Sequence, residues 1–150
     1  MPQSLSNILV HIVFSTKLTR PLIAQTIKKE PYSYMASILK DCDCSPIIIG
    51  GVDDHVHVLC KLSKTRSISS VIEDVKKKSS KWIKSKGVKY KEFYWQNGYG
   101  VFSIGKSQAN TLKEYIQKQE DHHRKKSFKE EFLEILNRYG IEYDERYLWE

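Results

Sequence analysis

Cysteine is scarce: the 150-residue chain has three, Cys42, Cys44 and Cys60. An odd number this small excludes a disulfide scaffold and suits a reducing compartment. Cys42-Asp43-Cys44 lacks the two or more intervening residues usual between zinc-binding cysteines, so all three are expected to be structural thiols. No apolar run reaches membrane-spanning length, and the amino end lacks the basic-then-apolar design of a signal peptide. A cytoplasmic protein with no membrane partner is expected. Internal repeats, linkers and low-complexity blocks are missing too, so residues 1–150 are expected to form one domain.

Positive charge is plentiful. Lys and Arg number 25 against 18 Asp and Glu, a formal charge of +7, and the pI is about 9.2. The excess favours a polyanionic partner, although a basic surface can also serve solubility alone. Lys76, Lys77, Lys78, Lys81 and Lys84 crowd one region with Ser79, Ser80 and Ser85, and such groups contact phosphate without reading sequence. A merely solvated helix face explains them as well. Lys125 and Lys126 form a second candidate. Of the nearby Tyr90, Phe93, Tyr94, Trp95 and Tyr99, some could stack on unpaired bases, while most are expected in the core.

The pattern of apolar residues predicts strands over 5–15, 45–50, 55–62 and 95–104, and helices over 31–40 and 67–84. Pro31 suits a first helical turn, and Gly51-Val52-Asp53-Asp54 reads as a hairpin. A further helix follows, then a short helical tail. Four strands flanked by helices in this order suggest an α+β fold, a ferredoxin-like antiparallel sheet with helices on one face and the last main helix near the C-terminal end.

The strand 55–62 opens with His55-Val56-His57. Alternation along a strand puts both imidazoles on one face, about 7 Å apart, where they can share a metal ion. A half-buried strand whose polar face happens to carry histidines fits this tripeptide too. Residues 112–123 contain no Gly or Pro and follow Asn110-Thr111, a helix-start signal. Tyr115 and Gln119 would stand one turn apart on that helix, offering a phenol beside an amide oxygen; a solvated face is the alternative. His122 and His123, adjacent on a helix, diverge by about 100° and do not readily grip one ion together.

In this order, His55-Val56-His57, Tyr94-Trp95-Gln96-Asn97-Gly98-Tyr99 and Tyr115-Ile116-Gln117-Lys118-Gln119 resemble the HUH-type single-tyrosine transposases, the insertion-sequence 200/605-like and REP-associated enzymes. The likeness runs from His11 to Phe128 and is weaker over residues 25–34. It implies that His55, His57 and Gln119 bind a divalent metal, Mg²⁺ or Mn²⁺, and that Tyr115 is the nucleophile. It also implies the same ferredoxin-like fold, a homodimer, and single-stranded DNA with hairpin ends as partner. The expected activity is endonucleolytic cleavage and rejoining of that DNA at the ends of a mobile element, through a 5′-phosphotyrosine and without a nucleotide cofactor. Two alternatives stay open: a host-adopted relative that processes chromosomal palindromes, and a non-catalytic nucleic-acid-binding module. Asp53 or Asp54 could support a histidine from behind.

Overall fold

The computed structural model describes residues 2–23, 29–119 and 126–149. Four strands, β1 (Leu9–Ser15), β2 (Ser45–Val52), β3 (His55–Lys61) and β4 (Gly100–Ile104), form an antiparallel sheet in the order β2-β3-β1-β4. The helices are α1 (Lys29–Asp41), α2 (Ile68–Lys84), α3 (Ala109–Gln117), α4 (Phe128–Arg138) and the one-turn α5 (Glu145–Leu148). The α+β class with its ferredoxin-like antiparallel sheet is as the sequence led us to expect.

Period-two alternation divides the sheet into two chemically different faces. Val10, Ile12 and Phe14 of β1 and Val56, Val58 and Cys60 of β3 point to one side. There they pack with Met35, Ile38 and Leu39 of α1 and Val71, Ile72 and Val75 of α2. These two helices are the expected layer. The opposite face carries His11 and Val13 of β1, His55, His57 and Leu59 of β3, and Phe102 and Ile104 of β4. It is also covered, by Ile116 of α3 and by Phe128, Phe132, Ile135 and Leu136 of α4. The sheet therefore lies between helices on both sides, and β1 is buried along its whole length. That accounts for its nearly unbroken apolar sequence.

The helix expected over residues 112–123 starts earlier, at Ala109, and α3 ends at Gln117, before Gln119. Two strand starts also differ from expectation. β1 starts at Leu9, the last residue paired with both neighbours, and Leu5 is out in solvent. The strand expected over 95–104 begins at Gly100, and Trp95 meets the sheet backbone through an isolated bridge to Thr16. The Lys76 ammonium donates to the carbonyl oxygens of Gln96, Asn97 and Gly98 at 2.8, 3.4 and 2.6 Å, drawing that stretch out of the ladder.

Close approach fixes how α3 and α4 sit on the sheet. A Cβ at Gly50 of β2 would lie 2.8 Å from Ile116 Cγ2 and 2.9 Å from the Ile116 carbonyl oxygen. At Gly100 it would lie 2.7 Å from the Phe132 ring. Hydrogen is thus the only side chain that lets α3 rest on β2 at this height, one residue from Tyr115. Gly50→Ala is expected to push α3 outward and to cost about 1–3 kcal/mol, the usual range for overpacking. Chemical denaturation should show the loss, and a variant as stable as the parent would contradict this seating.

Candidate active site

β3 places His55 and His57 side by side on the inner face, with ring centroids 5.2 Å apart and no exposure of either residue. Every ring nitrogen of the pair meets a polar partner, as burial demands. His55 Nδ1 lies 2.6 Å from Asp54 Oδ1. Asp54 is itself fixed, because its carbonyl oxygen accepts the backbone N–H of Thr16 at 2.8 Å. Of the two aspartates raised from the sequence, Asp54 is the one that supports a histidine. His57 Nδ1 lies 2.8 Å from His11 Nε2, and these two rings stack at 5.1 Å.

The Nε2 atoms of both histidines face the helices. His55 Nε2 is 3.1 Å from Gln119 Oε1 and 3.4 Å from Glu131 Oε1, and His57 Nε2 is 2.8 Å from Glu131 Oε1. Tyr115 donates its phenolic hydrogen to Glu131 Oε2, and Gln119 Nε2 donates to the same oxygen at 3.2 Å. α3 ends at Gln117, and Gln119 still reaches the histidines from just beyond its C-cap at Lys118. The sequence-derived set of His55, His57, Tyr115 and Gln119 is therefore brought together within one chain.

Glu131 and His11 complete the cluster, and sequence reasoning had given neither a role. Glu131 lies on α4, is 3% exposed and joins four side chains. The expected short tail is thus an eleven-residue helix that covers the site. A signal for it existed. Ser127 caps α4 by accepting from the Glu130 N–H at 3.2 Å, a Ser-x-x-Glu start. Phe128, Phe132, Ile135 and Leu136 then form a buried stripe, and Glu131 falls inside it.

Burial disfavours a His55 cation, but the hydrogen bonds to Asp54 and Glu131 outweigh it and hold the pKa up at about 9. For His11, burial acts first, the neighbouring His57 adds to it, and a weaker pull from Glu131 leaves the pKa near 3. A neutral His11 can stand at either end of its bond to His57. By accepting from His57 Nδ1–H it leaves the His57 Nε2 lone pair available. Burial, reinforced by the hydrogen bond to Glu131, raises the Tyr115 phenol above its ordinary range, with Gln119 and Arg138 opposing.

This donor set fits a divalent ion. The ligand atoms of His55, His57 and Glu131 all lie within 4.8 Å of one another, and Gln119 Oε1 adjoins them. Separations of about 3 Å are those of neighbouring ligands on an ion bound at roughly 2.1 Å. Imidazoles with a carboxylate suit several divalent metals.

The basic residues are distributed differently. α2 lies on the far side of the sheet, with Lys77, Lys78 and Lys81 exposed and Lys84 over the Tyr94 ring at 3.9 Å. Lys76 is half-buried on its three carbonyls, and burial lowers its pKa to about 8. Lys126 is exposed beside α4 and pairs with Glu134 at 2.6 Å. Lys125, His122 and His123 lie outside the described residues. Cys42, Cys44 and Cys60 are buried free thiols, as expected.

The His55–Asp54 contact has a pH signature. Titrating near 6.5 when unfolded and near 9 in the fold, His55 contributes stability that is complete below pH 6.5 and lost as pH rises through 9. In metal-free buffer Asp54→Asn is expected to be less stable than the parent by about 2 kcal/mol at pH 6. The gap should close by about pH 9.5. Thermal unfolding across this range checks it, and a gap independent of pH would refute the assignment.

Comparison with known proteins bears on the fold and the family. The chain is similar in fold to a protein from Deinococcus radiodurans R1 described as a candidate transposase, at TM-score 0.61 and 16% identity, covering 79% of this chain and 98% of the other. It is also similar to a REP-associated tyrosine transposase bound to a REP hairpin, at TM-score 0.59 and 13% identity, covering 82% and 72%. No curated protein sequence matches the chain significantly. The family described as transposase, IS200 like, matches residues 4–119, from before β1 to Gln119, and the chain belongs to that family.

Proposed function

We propose that this transposase cleaves and rejoins single-stranded DNA with Tyr115 as its nucleophile. The observation that carries the reading is convergence: the Tyr115 hydroxyl and the Nε2 atoms of His55 and His57 all meet the Glu131 carboxylate. A phosphate drawn toward that point has both a nucleophile and a metal-binding set beside it. His55, His57 and Gln119 would hold the ion, with Glu131 as a further ligand. When bound, a divalent ion such as Mg²⁺ or Mn²⁺ polarises the phosphate and stabilises charge on the departing oxygen.

The chain's own groups do the rest. Tyr115 Oη attacks phosphorus, and its proton leaves along the hydrogen bond to Glu131. A tyrosine–phosphorus ester bond forms as the bond from phosphorus to the 3′ oxygen breaks, and that oxygen takes a proton from water. The bond energy is kept in a 5′-phosphotyrosine, so another 3′ hydroxyl can displace the tyrosine and reseal the strand without a nucleotide cofactor. Asp54 and His11 orient the two imidazoles from behind.

Tyr115 and its polar partners converge within this one copy. A homodimer would supply two such sites, one for each end to be joined. Hairpin DNA is the substrate class we favour, since a structural relative was seen with a REP hairpin. The exposed lysines of α2, Lys77, Lys78 and Lys81, together with Lys84 and Lys126, are assigned to phosphates outside the cleavage point. We assign Lys76 and Lys125 to the same surface. The relative's hairpin equally suits processing of dispersed palindromes by the same chemistry, and genomic surroundings separate the two outcomes.

The test is to incubate the protein with labelled single-stranded DNA flanking its gene, with Mg²⁺ or Mn²⁺, and to look for an adduct that survives denaturation. The parent is expected to form it only with metal. Tyr115→Phe should bind the DNA within about threefold of the parent, for a loss of one hydroxyl, yet form no adduct. An adduct that persists in Tyr115→Phe, or DNA bound with no adduct under any metal, would sink the proposal.

A further inference from the structure

A cleft of about 760 Å³ opens between α3 and α4. Tyr115 and Glu131 line it, and so do Thr111, Lys126, Ile135 and Arg138. Since His55 and His57 have no exposure while Tyr115 is only half-buried, this cleft offers DNA a route to the nucleophile. An anionic guest has two carboxylates to contend with here. Glu131 is already bound to the histidines, and Glu134 is already paired with Lys126. Arg138 is the remaining cation of the lining: it is exposed and forms no ion pair among the described residues. Arg138 and the Tyr115 phenol line the same cleft, so its charge faces the space that leads to the nucleophile.

We propose that the cleft between α3 and α4 seats the phosphodiester on which Tyr115 acts, and that Arg138 grips its non-bridging oxygens. The inference rests on reading Tyr115 as the nucleophile and adds a DNA-positioning residue from a helix outside the family-matched segment, residues 4–119. A guanidinium is suited to this work, because its planar fork matches two phosphate oxygens at once and its charge does not titrate. Arg138 also lies in the last turn of α4, where a cation suits the helix dipole. That structural role is served equally by lysine and is indifferent to DNA.

The experiment gives the cleft a reporter. The native cysteines are buried, so Ser107→Cys at the cleft wall supplies one exposed thiol. Single-stranded DNA from the gene's flank is expected to slow alkylation of that thiol several-fold. Arg138→Ala should abolish the protection at the same DNA concentration and weaken binding, read by fluorescence anisotropy, about tenfold, the loss of one charged hydrogen-bonded contact. It should also flatten the dependence of log affinity on log salt by about 0.7, one phosphate's share on a single strand. Arg138→Lys should recover part of both. DNA that binds without protecting S107C, or an Arg138→Ala variant that binds and forms adduct like the parent, overturns this inference and leaves the tyrosine chemistry standing. Protection that depends on Arg138 with no adduct under any metal does the reverse. DNA that fails to bind at any salt overturns both.

Discussion

Two imidazoles without solvent exposure sit beside the buried His11 on a largely apolar sheet face, and the cost of burying them organises much of what surrounds them. An unpartnered buried polar group costs on the order of 1–3 kcal/mol, so each ring nitrogen requires a partner from some other element. Asp54 comes from the hairpin, His11 from the neighbouring strand, Gln119 from beyond α3 and Glu131 from α4. Meeting these needs ties four separate parts of the chain to one point. The far side is mainly apolar and makes fewer such demands, one of them met where Trp95 Nε1 donates to the buried Ser79 hydroxyl.

Much of this was legible in the sequence because it is local. Alternation in β3 put His55 and His57 on one face. The closeness of Tyr115 and Gln119 in sequence brought a phenol and an amide to one place, although α3 ends at Gln117 and Gln119 reaches in from beyond its C-cap. The hairpin before His55 and the start of α2, where Ser67 accepts from the Ser70 N–H, are equally local. Glu131 was not legible in the same way. A glutamate among lysines and glutamates ordinarily faces water, and its partners His57 and Tyr115 lie 74 and 16 positions away. His11 is hidden for the same reason: only the pairing of β1 with β3 brings it to His57. The strand over-read at residues 95–99 was lost to a tertiary contact as well, the Lys76 ammonium on three carbonyls.

Charge and chemistry are separated in space. The lysine-rich helix α2 lies on one side of the sheet and the histidine cluster on the other. A nucleic acid that uses both must pass round an edge of the sheet, which a flexible single strand can do more readily than a stiff duplex. The lysine cluster singled out from the sequence, on α2, therefore lies on the face of the sheet away from the histidine cluster. In the cleft beside that cluster the balance is nearer even, Lys126 and Arg138 standing with Glu131 and Glu134.

Phe132 lies against Gly100, and its neighbours Phe128, Ile135 and Leu136 pack with Val13 and Phe102 of the sheet. The family-matched segment ends at Gln119, ahead of all four of these α4 residues. A boundary drawn there would cut through a shared core, leaving strand side chains bare on one side and an amphipathic helix without its floor on the other. Such a truncation would expose contiguous apolar surface of the kind that promotes aggregation. In this chain the unit that can be expressed, shortened or grafted is set by what α4 covers, and it extends past the point at which family likeness stops.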